Sequence, residues 1–179
     1  MRKIIEHILV SLDGVFAGAD ISGFSAFTDE AYMRDRLGQL LSCDAMLMGR
    51  NTYETFAAMW PAMTHPLADR VNAMPKYVFS SQLEHAEWSN STIVRGDVVA
   101  EVGKLKQQEG RDLLIYGHGL LGETLLKHHL LDVLDLSIHP LVLGQGKQVF
   151  REGQHARFRL VAAKSFAKGI VKLIYEPQS

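Results

Sequence analysis

The chain has 179 residues, of which 47% are hydrophobic and 22% are charged, so it has the composition of one folded domain rather than a disordered tail, a collagen-like fibre or a coiled coil. Lys and Arg number 19 and Asp and Glu number 20, which gives a net charge of −1 and argues against a nucleic-acid partner. The one cysteine, Cys43, excludes an intrachain disulfide framework and a thiolate-rich zinc site.

Strands and helices alternate along the chain. Short runs of β-branched and other apolar residues predict strands, and apolar residues at three-to-four spacing predict helices. In chain order these are a strand over 4–12, a helix over 28–42, a strand over 45–48, a helix over 51–59, a proline-containing connection over 61–75, strands over 76–79 and 92–95, a helix over 97–109, a strand over 113–116, a helix over 120–130, and strands over 134–142, 157–161 and 170–175. This order predicts one α/β domain over 1–179, with a mostly parallel sheet, helices on both faces and an antiparallel C-terminal hairpin.

Ligands of such sheets bind outside the carboxyl ends of the strands. Residues 49–52, Gly-Arg-Asn-Thr, lie at a strand-to-helix turn, where a glycine, free N–H groups and a guanidinium together suit a phosphate. Ser80 and Ser81 add two hydroxyls at the end of a neighbouring strand. The segment is equally explained as a glycine turn with a surface arginine and a serine cap.

Residues 117–122 have the spacing glycine-x-glycine-x-x-glycine between a strand and a helix, the context that pyrophosphate binding requires. The acid expected about 20 residues later in a Rossmann domain would fall near Asp135 or Ser137, inside a strand. A standard Rossmann dehydrogenase is therefore disfavoured. His118, inside this block, either contacts a ligand phosphate or fills space.

Five ordered blocks together resemble the dihydrofolate reductase superfamily, and most closely the RibD C-terminal-like branch, the reductase domain of riboflavin biosynthesis. The resemblance covers about residues 2–176 and is carried by the segments 11–14 (SLDG), 47–54 (LMGRNTYE), 76–81 (KYVFSS), 115–121 (IYGHGLL) and 139–146 (HPLVLGQG). It implies the dihydrofolate reductase-like three-layer fold and an NADPH-dependent reductase.

The resemblance also implies which residues bind NADPH. The phosphates would be held by Gly49, Arg50, Asn51 and Thr52, with Arg50 near the adenosine 2′-phosphate and Ser80 and Ser81 beside the same end. The pyrophosphate and nicotinamide ribose would lie against Gly117, His118, Gly119, Leu120, Leu121 and Gly122. The loop that contains Leu12 and Gly14 would cover the nicotinamide and the substrate.

Three carboxylates are candidates for holding or protonating the substrate. Asp13 matches the acid-glycine pair after the first strand, although a turn-forming Asp-Gly explains it equally well. Asp29 and Glu30 open the helix on which folate-type dihydrofolate reductases carry a carboxylate for the pterin ring, but helix capping also accounts for them. No metal site is expected, because the adjacent His128 and His129 point about 100° apart on a helix.

The leading hypothesis is hydride transfer from NADPH to a conjugated C=N or carbonyl of a pteridine-like or aminopyrimidine-like heterocycle. The riboflavin branch carries a lysine soon after its acid-glycine pair, whereas residues 15–17 here are Val-Phe-Ala, so the substrate is left open. The alternative is a protein of the same fold that binds NADPH as a sensor without turnover. The resemblance favours a homodimer, and the lack of about 18 consecutive apolar residues favours a cytoplasmic protein with no membrane partner.

Overall fold

A mixed sheet of eight strands forms the centre of the molecule. The computed structural model describes residues 1–18, 20 and 22–178. The strands in this part of the chain are β1 Ile4–Ser11, β2 Val15–Ala17, β3 Cys43–Gly49, β4 Lys76–Phe79, β5 Ser91–Val94, β6 Asp112–Tyr116, β7 Val133–His139, β8 Lys147–Gln148, β9 Arg157–Ser165 and β10 Val171–Gln178. The large sheet has the order β5-β4-β3-β6-β1-β7-β10-β9. The strands from β5 to β7 in this order pair in parallel, and β10 pairs antiparallel with β7 and β9.

Helices cover both faces of this sheet. They are α1 Glu30–Ser42, α2 Arg50–Met59, α3 Pro66–Ala73, α4 Val98–Gln107 and α5 Leu120–Lys127, with short 3-10 helices at Ser22–Phe27 and Trp60–Ala62. Because successive side chains of a strand point to opposite faces, Met46 and Met48 of β3 pack with α1, α2 and α3, while Ala45 and Leu47 pack with α4 and α5. The predicted fold class is confirmed. No helix of the described residues is long and apolar enough to cross a membrane.

The carboxyl ends of the central parallel strands lie at one edge of the sheet. Strand β1 occupies the middle, between β6 and β7, and is followed by a turn at Asp13 and Gly14. The register pairs Gly49 with Phe79, so the turns after β3 and β4 are neighbours. The glycine block follows directly after β6, whose last residue, Tyr116, is opposite His7 of β1. The four segments that the sequence analysis singled out therefore share this edge.

The segment 61–75 contains a helix where the sequence analysis expected only a connection. Pro66 occupies the first turn of α3, where its missing N–H and fixed φ are tolerated. His65 caps this helix, since its Nδ1 accepts the N–H of Ala68 at 3.1 Å. The prolines were interpreted as marks of irregular chain, whereas one of them begins a helix.

Four smaller differences concern short strands and element ends. Strands β2 and β8, which were not predicted, form a separate antiparallel ribbon. Strand β7 ends at His139, one residue before Pro140, instead of continuing to residue 142. Helix α5 ends at Lys127 instead of residue 130, and His129 beyond it has a φ of 55°. Strand β9 is longer than expected and extends to Ser165.

Candidate active site

Two glycines stand at helix N-termini on the carboxyl edge of the sheet. Gly49 is the N-cap of α2 and Gly119 is the N-cap of α5, and neither cap position supplies a side-chain hydrogen bond. A Cβ atom added to either glycine would meet nothing within 4 Å. Both helix ends thus present free N–H groups beside open space, which is the arrangement that attracts phosphate groups.

Gly117 makes the turn between β6 and α5. Its φ of +74° is one that glycine adopts readily, and its N–H donates to the carbonyl of His7 at 2.9 Å. Leu120, in the first turn of α5, is 74% exposed, whereas Leu121 is half-buried. The exposed Leu120 side chain at the start of α5 is an apolar surface that a ligand ring could contact.

The remaining two residues of the block face inward. His118 is buried, and its Nδ1 lies 3.0 Å from Oε1 of Glu6, a fully buried residue of β1. Burial raises the pKa of Glu6, and His118 opposes that rise. Gly122 lies over this pair, because a Cβ there would overlap Glu6 Oε1. His118 and Gly122 therefore seat α5 on β1 and do not line the open edge.

Arg50 and the serine pair flank the turn after β4. The Arg50 side chain is exposed; its Nη1 donates to Oε1 of Gln82 at 2.7 Å, and its Nε lies 3.8 Å from Glu54 Oε1. Ser80 Oγ accepts the N–H groups of Gln82 at 3.2 Å and Leu83 at 2.9 Å, so part of its hydrogen-bonding capacity shapes the turn. The structure brings Arg50 and this turn together, as the sequence analysis expected.

Arg95 is a second cation at this turn that the sequence analysis did not identify. Its two Nη atoms donate to the carbonyls of Ser81 at 3.0 Å and Leu83 at 2.7 Å. The only signal for it was its place as the last residue of the strand predicted over 92–95. Asn51 and Thr52 follow Arg50 in the first turn of α2, with Asn51 exposed and Thr52 half-buried.

Asp13 connects two loops at the end of β1. Its carboxylate accepts hydrogen bonds from Ser11 Oγ at 2.6 Å and from the N–H groups of Leu143 at 3.1 Å and Gly144 at 2.7 Å. The Ser11 hydrogen bond and the two backbone N–H groups lower the pKa of Asp13 to about 2. The group is therefore ionised near neutral pH and is used as an acceptor that ties the β1–β2 turn to the loop after β7.

The flanking residues of this turn are also used structurally. The N–H of Leu12 donates to the carbonyl of Leu141 at 2.8 Å, while its side chain is 63% exposed. Gly14 has a φ of +80° and its carbonyl accepts the N–H of Val149 at 3.0 Å. The β1–β2 turn is thus fixed by these two backbone hydrogen bonds and by the contacts of the Asp13 carboxylate, while the Leu12 side chain is left exposed.

Asp29 and Glu30 begin α1 and do not approach Asp13. Oδ1 of Asp29 accepts the N–H of Tyr32 at 2.8 Å, which makes Asp29 the N-cap, and this backbone hydrogen bond lowers the pKa of Asp29. Glu30 is an exposed side chain that pairs with Arg34 at 3.0 Å. The structure does not bring the three candidate carboxylates together in one site.

A buried polar cluster between α1 and the sheet was missed by the sequence analysis. We define the α1-face cluster by its members from the sheet and from the helix: His7, Tyr116, Asp135, Ser137, His139 and Lys172, with Tyr32, Arg36 and Gln39. Its centre is Asp135, whose Oδ2 lies 2.9 Å from Lys172 Nζ and 3.3 Å from His7 Nδ1 and accepts the Gln39 amide. The sequence analysis treated His7 and His139 only as residues of the core or of an interface.

Many polar atoms of this cluster lack hydrogen-bond partners among the residues that the structure describes. Each member except Lys172 contributes at least one such atom, including both ring nitrogens of His7 and the hydroxyls of Tyr32 and Tyr116. An unpartnered buried polar group costs about 1–3 kcal/mol, so a group of them at one place points to a polar ligand or ordered water. Burial lowers the pKa of His7 and Asp135 opposes this, which leaves His7 neutral near pH 7.

Aromatic rings surround the cluster. Phe24 stacks on His139 with the ring centroids 4.5 Å apart and an interplanar angle of 21°. Tyr116 lies 5.4 Å from the ring of His7 and 5.9 Å from that of Phe56. Tyr116 also directly precedes the glycine block, so the aromatic surface and the helix N-termini adjoin. Among the described residues, no group of three or more His, Cys, Asp or Glu side chains could hold a metal ion.

Comparisons with known proteins agree with this architecture. Residues 2–172 match the family model of the RibD C-terminal domain. The protein YyaP of Bacillus subtilis (strain 168) is 30% identical over 181 residues, an alignment that covers 97% of this chain and 94% of YyaP.

Two solved structures share the fold. A protein from Shewanella sp. PV-4, named for riboflavin biosynthesis, has a TM-score of 0.76 at 20% identity over 99% of both chains. The diaminohydroxyphosphoribosylaminopyrimidine deaminase/5-amino-6-(5-phosphoribosylamino)uracil reductase of Thermotoga maritima has a TM-score of 0.66 at 16% identity. The match with the Thermotoga maritima protein covers 99% of this chain and 57% of that one.

Proposed function

The chain belongs to the RibD C-terminal domain family, and from that premise we propose that it is an NADPH-dependent reductase. Its substrate is a small pteridine-like or aminopyrimidine-like heterocycle, or a related carbonyl compound. The observation that carries this proposal is the pair of glycine-capped helix N-termini, α2 and α5, at one sheet edge beside a buried aromatic and polar cluster. A dinucleotide and a planar substrate need these two kinds of surface side by side.

The residues at this edge suit NADPH. The open space at Gly49 and Gly119 leaves room for phosphates against the N–H groups of α2 and α5. Arg50 and Arg95 lie on either side of the turn at Ser80, and a 2′-phosphate needs such cations and hydrogen-bond donors. The exposed Leu12 and Leu120 supply apolar contacts at the mouth of the site.

The protein's share of the reaction is to align two rings and to exclude water. Bound NADPH would supply a hydride to the carbon of the substrate's C=N or C=O bond, and the nitrogen or oxygen of that bond would take up one proton. Asp13, with a pKa of about 2, holds no proton near neutral pH, so we assign it the positioning of the β1–β2 turn over the site. The capping role of Asp29 and the exposure of Glu30 favour substrate contacts from the α1-face cluster instead.

The first experiment is a titration of the purified protein with NADPH and with NADH, followed by nicotinamide fluorescence. Because we assign Arg50 to the 2′-phosphate, we expect Arg50→Ala to weaken NADPH binding by about tenfold or more, the effect of losing one charge-assisted contact, and to change NADH binding little. Arg34→Ala is the matched control, since Arg34 is an exposed arginine that pairs with a neighbouring glutamate. Equal losses for the two nucleotides would contradict the assignment.

Turnover separates the reductase from the alternative of an NADPH sensor. Oxidation of NADPH is followed with pterins, aminopyrimidines and simple carbonyl compounds as acceptors. One observation favours the sensor as a second candidate. None of the three candidate carboxylates lies in the α1-face cluster as a group that could protonate a substrate. Tight NADPH binding without oxidation by any acceptor would select it.

We place the reductase in the cytoplasm as a homodimer. The edge strand β9 supports the dimer, because Leu160 and Val161 are about half exposed, at 50% and 49%. An uncovered apolar edge of this kind is a template for pairing with another strand. A second copy of β9 would pair with it across a two-fold axis.

A further inference from the structure

Arg36 is the cation of α1 in the α1-face cluster. Its guanidinium carbon lies 5.9 Å from the ring centroid of Tyr32 and 5.8 Å from that of Tyr116. The side chain is half-buried, and its Nε is buried without a hydrogen-bond partner within the described ranges of the chain. A guanidinium held between two rings, with its Nε unpartnered, is arranged to meet a ligand.

The neighbouring carboxylates are already neutralised by lysines. Asp135 is paired with Lys172 at 2.9 Å, and Asp35 of α1 is paired with Lys172 and Lys164, each at 2.7 Å. Along residues 1–18, 20 and 22–178, Arg36 has no carboxylate within ion-pair distance.

The uncharged partners do not offset this charge. His7 on β1 and His139 on β7 are buried, and burial together with the charge of Arg36 lowers the pKa of each ring. Tyr116 on β6 and Tyr32 on α1 are neutral at pH 7, since burial raises the pKa of both. The cluster thus keeps one uncompensated positive charge, that of Arg36, next to the end of β6.

We propose that the α1-face cluster is a binding site for a planar anion, namely a carboxylate or the ionised carbonyl edge of an aromatic heterocycle, which Arg36 recognises. The flat, forked guanidinium matches two coplanar oxygens, and the rings of Tyr32 and Tyr116 fit against a flat ligand. The unpartnered hydroxyls of Tyr32 and Tyr116 and the imidazole of His139 are the polar groups that its remaining atoms would meet. This inference rests on the proposed reductase, for which it names the class of substrate.

Arg36 puts a positive charge on the first helix, where folate-type dihydrofolate reductases carry a carboxylate. A carboxylate at this place would bind a donor edge, such as an amidine, whereas a guanidinium binds an acceptor edge. Substrates whose reacting ring carries a neighbouring carboxylate or an acidic carbonyl are therefore favoured over amidine-bearing rings.

The test uses three small probes of nearly equal shape: benzoate, benzamide and benzamidinium. Binding to the full-length protein is measured by calorimetry, with and without NADPH. We expect benzoate to bind, benzamide to bind about tenfold more weakly and benzamidinium not to bind, because one unscreened charge-assisted contact is worth roughly a factor of ten or more. Arg36→Gln is expected to abolish the benzoate preference. Arg34→Gln, which removes an exposed arginine from the same helix, leaves it unchanged.

Measurement on the wild-type protein covers the case in which Arg36→Gln does not fold. Intermolecular NOEs from the benzoate ring to the rings of Tyr32 and Tyr116 are expected, and NOEs to other aromatic residues alone would overturn the site. Equal affinity for benzoate and benzamidinium, or for inorganic phosphate and benzoate, would also overturn it. Benzoate selectivity without NADPH binding would refute the reductase and leave the anion site standing. NADPH binding without benzoate selectivity would do the reverse.

Discussion

Gly122 shows how one missing side chain positions the glycine block. A Cβ at this residue would overlap Oε1 of the buried Glu6 and lie 2.9 Å from Nδ1 of His118. Neither Glu6 nor His118 is a flexible surface side chain, since both are buried and hydrogen-bonded to each other. The close approach of α5 to β1, and with it the place of Gly119 at the open edge, therefore depends on glycine at residue 122.

Gly122→Ala is expected to lower the free energy of unfolding by about 1–3 kcal/mol, the usual cost of forcing an atom into a packed core. Gly38→Ala is the control, because Gly38 is an exposed residue of α1 and an added Cβ meets nothing within 4 Å. That variant should gain up to about 1 kcal/mol from helix propensity. Urea unfolding of both variants measures the difference, and a stabilised Gly122→Ala would contradict the packing described.

At the scale of single elements, variants at the start of α1 can distinguish a capping role of Asp29 from a catalytic one. Asp29 accepts the N–H of Tyr32 at 2.8 Å, and Tyr32 is a fully buried member of the α1-face cluster. We expect Asp29→Ala to cost about 1 kcal/mol of stability, as N-cap deletions do, and Asp29→Ser to restore most of it. Thermal and urea unfolding measure this. Glu30→Ala, at an exposed ion pair, should change stability by less than about 0.5 kcal/mol.

The Asp29→Ser variant also tests whether the Asp29 carboxylate takes part in the reaction. A cap needs only a side-chain oxygen, so Asp29→Ser should keep the turnover of any acceptor that the wild type reduces. A proton donor or a substrate-binding carboxylate needs the acid, and a large loss of kcat in the serine variant with normal stability would return Asp29 to the active site.

Elements with a local signal could be predicted from the sequence. The central strands carry short apolar runs. Helices α2 and α5 follow glycine turns, so both their existence and their place at the carboxyl ends of the strands were expected. Helix α3 was missed because proline, which usually breaks a helix, is tolerated in its first turn at Pro66. The ribbon of β2 and β8 was missed because it is two to three residues long and pairs segments far apart in the chain.

The α1-face cluster could not be predicted from the sequence, because it depends on the order of the strands in the folded molecule. His7, Asp135 and Lys172 lie on three strands that only the sheet order places side by side, and no spacing in the sequence links them. The residues that we propose for phosphate binding could be suggested because they lie in short continuous segments. The proposed substrate site is assembled across the fold, which is why the sequence suggested a cofactor more clearly than a substrate.

At the scale of the whole molecule, a second copy of the chain could pair with either of the two outer strands of the sheet, β9 or β5. At one edge, β9 is a strand of nine residues, Arg157–Ser165, and it exposes the apolar residues Leu160 and Val161. At the other edge, β5 is a strand of four residues, Ser91–Val94, and its exposed Thr92 is polar. We expect a second copy to cover the longer edge strand, with its exposed apolar residues, and the short strand to be left to solvent.

We therefore expect a homodimer in solution that Val161→Lys converts into a monomer, because a lysine at the centre of β9 would place like charges opposite each other across the two-fold axis. Sedimentation equilibrium measures the mass of each variant. Thr92→Lys, the same change at the opposite edge, should remain dimeric. A monomeric wild-type protein, or a Val161→Lys variant that stays dimeric while Thr92→Lys dissociates, would place the interface elsewhere or remove it.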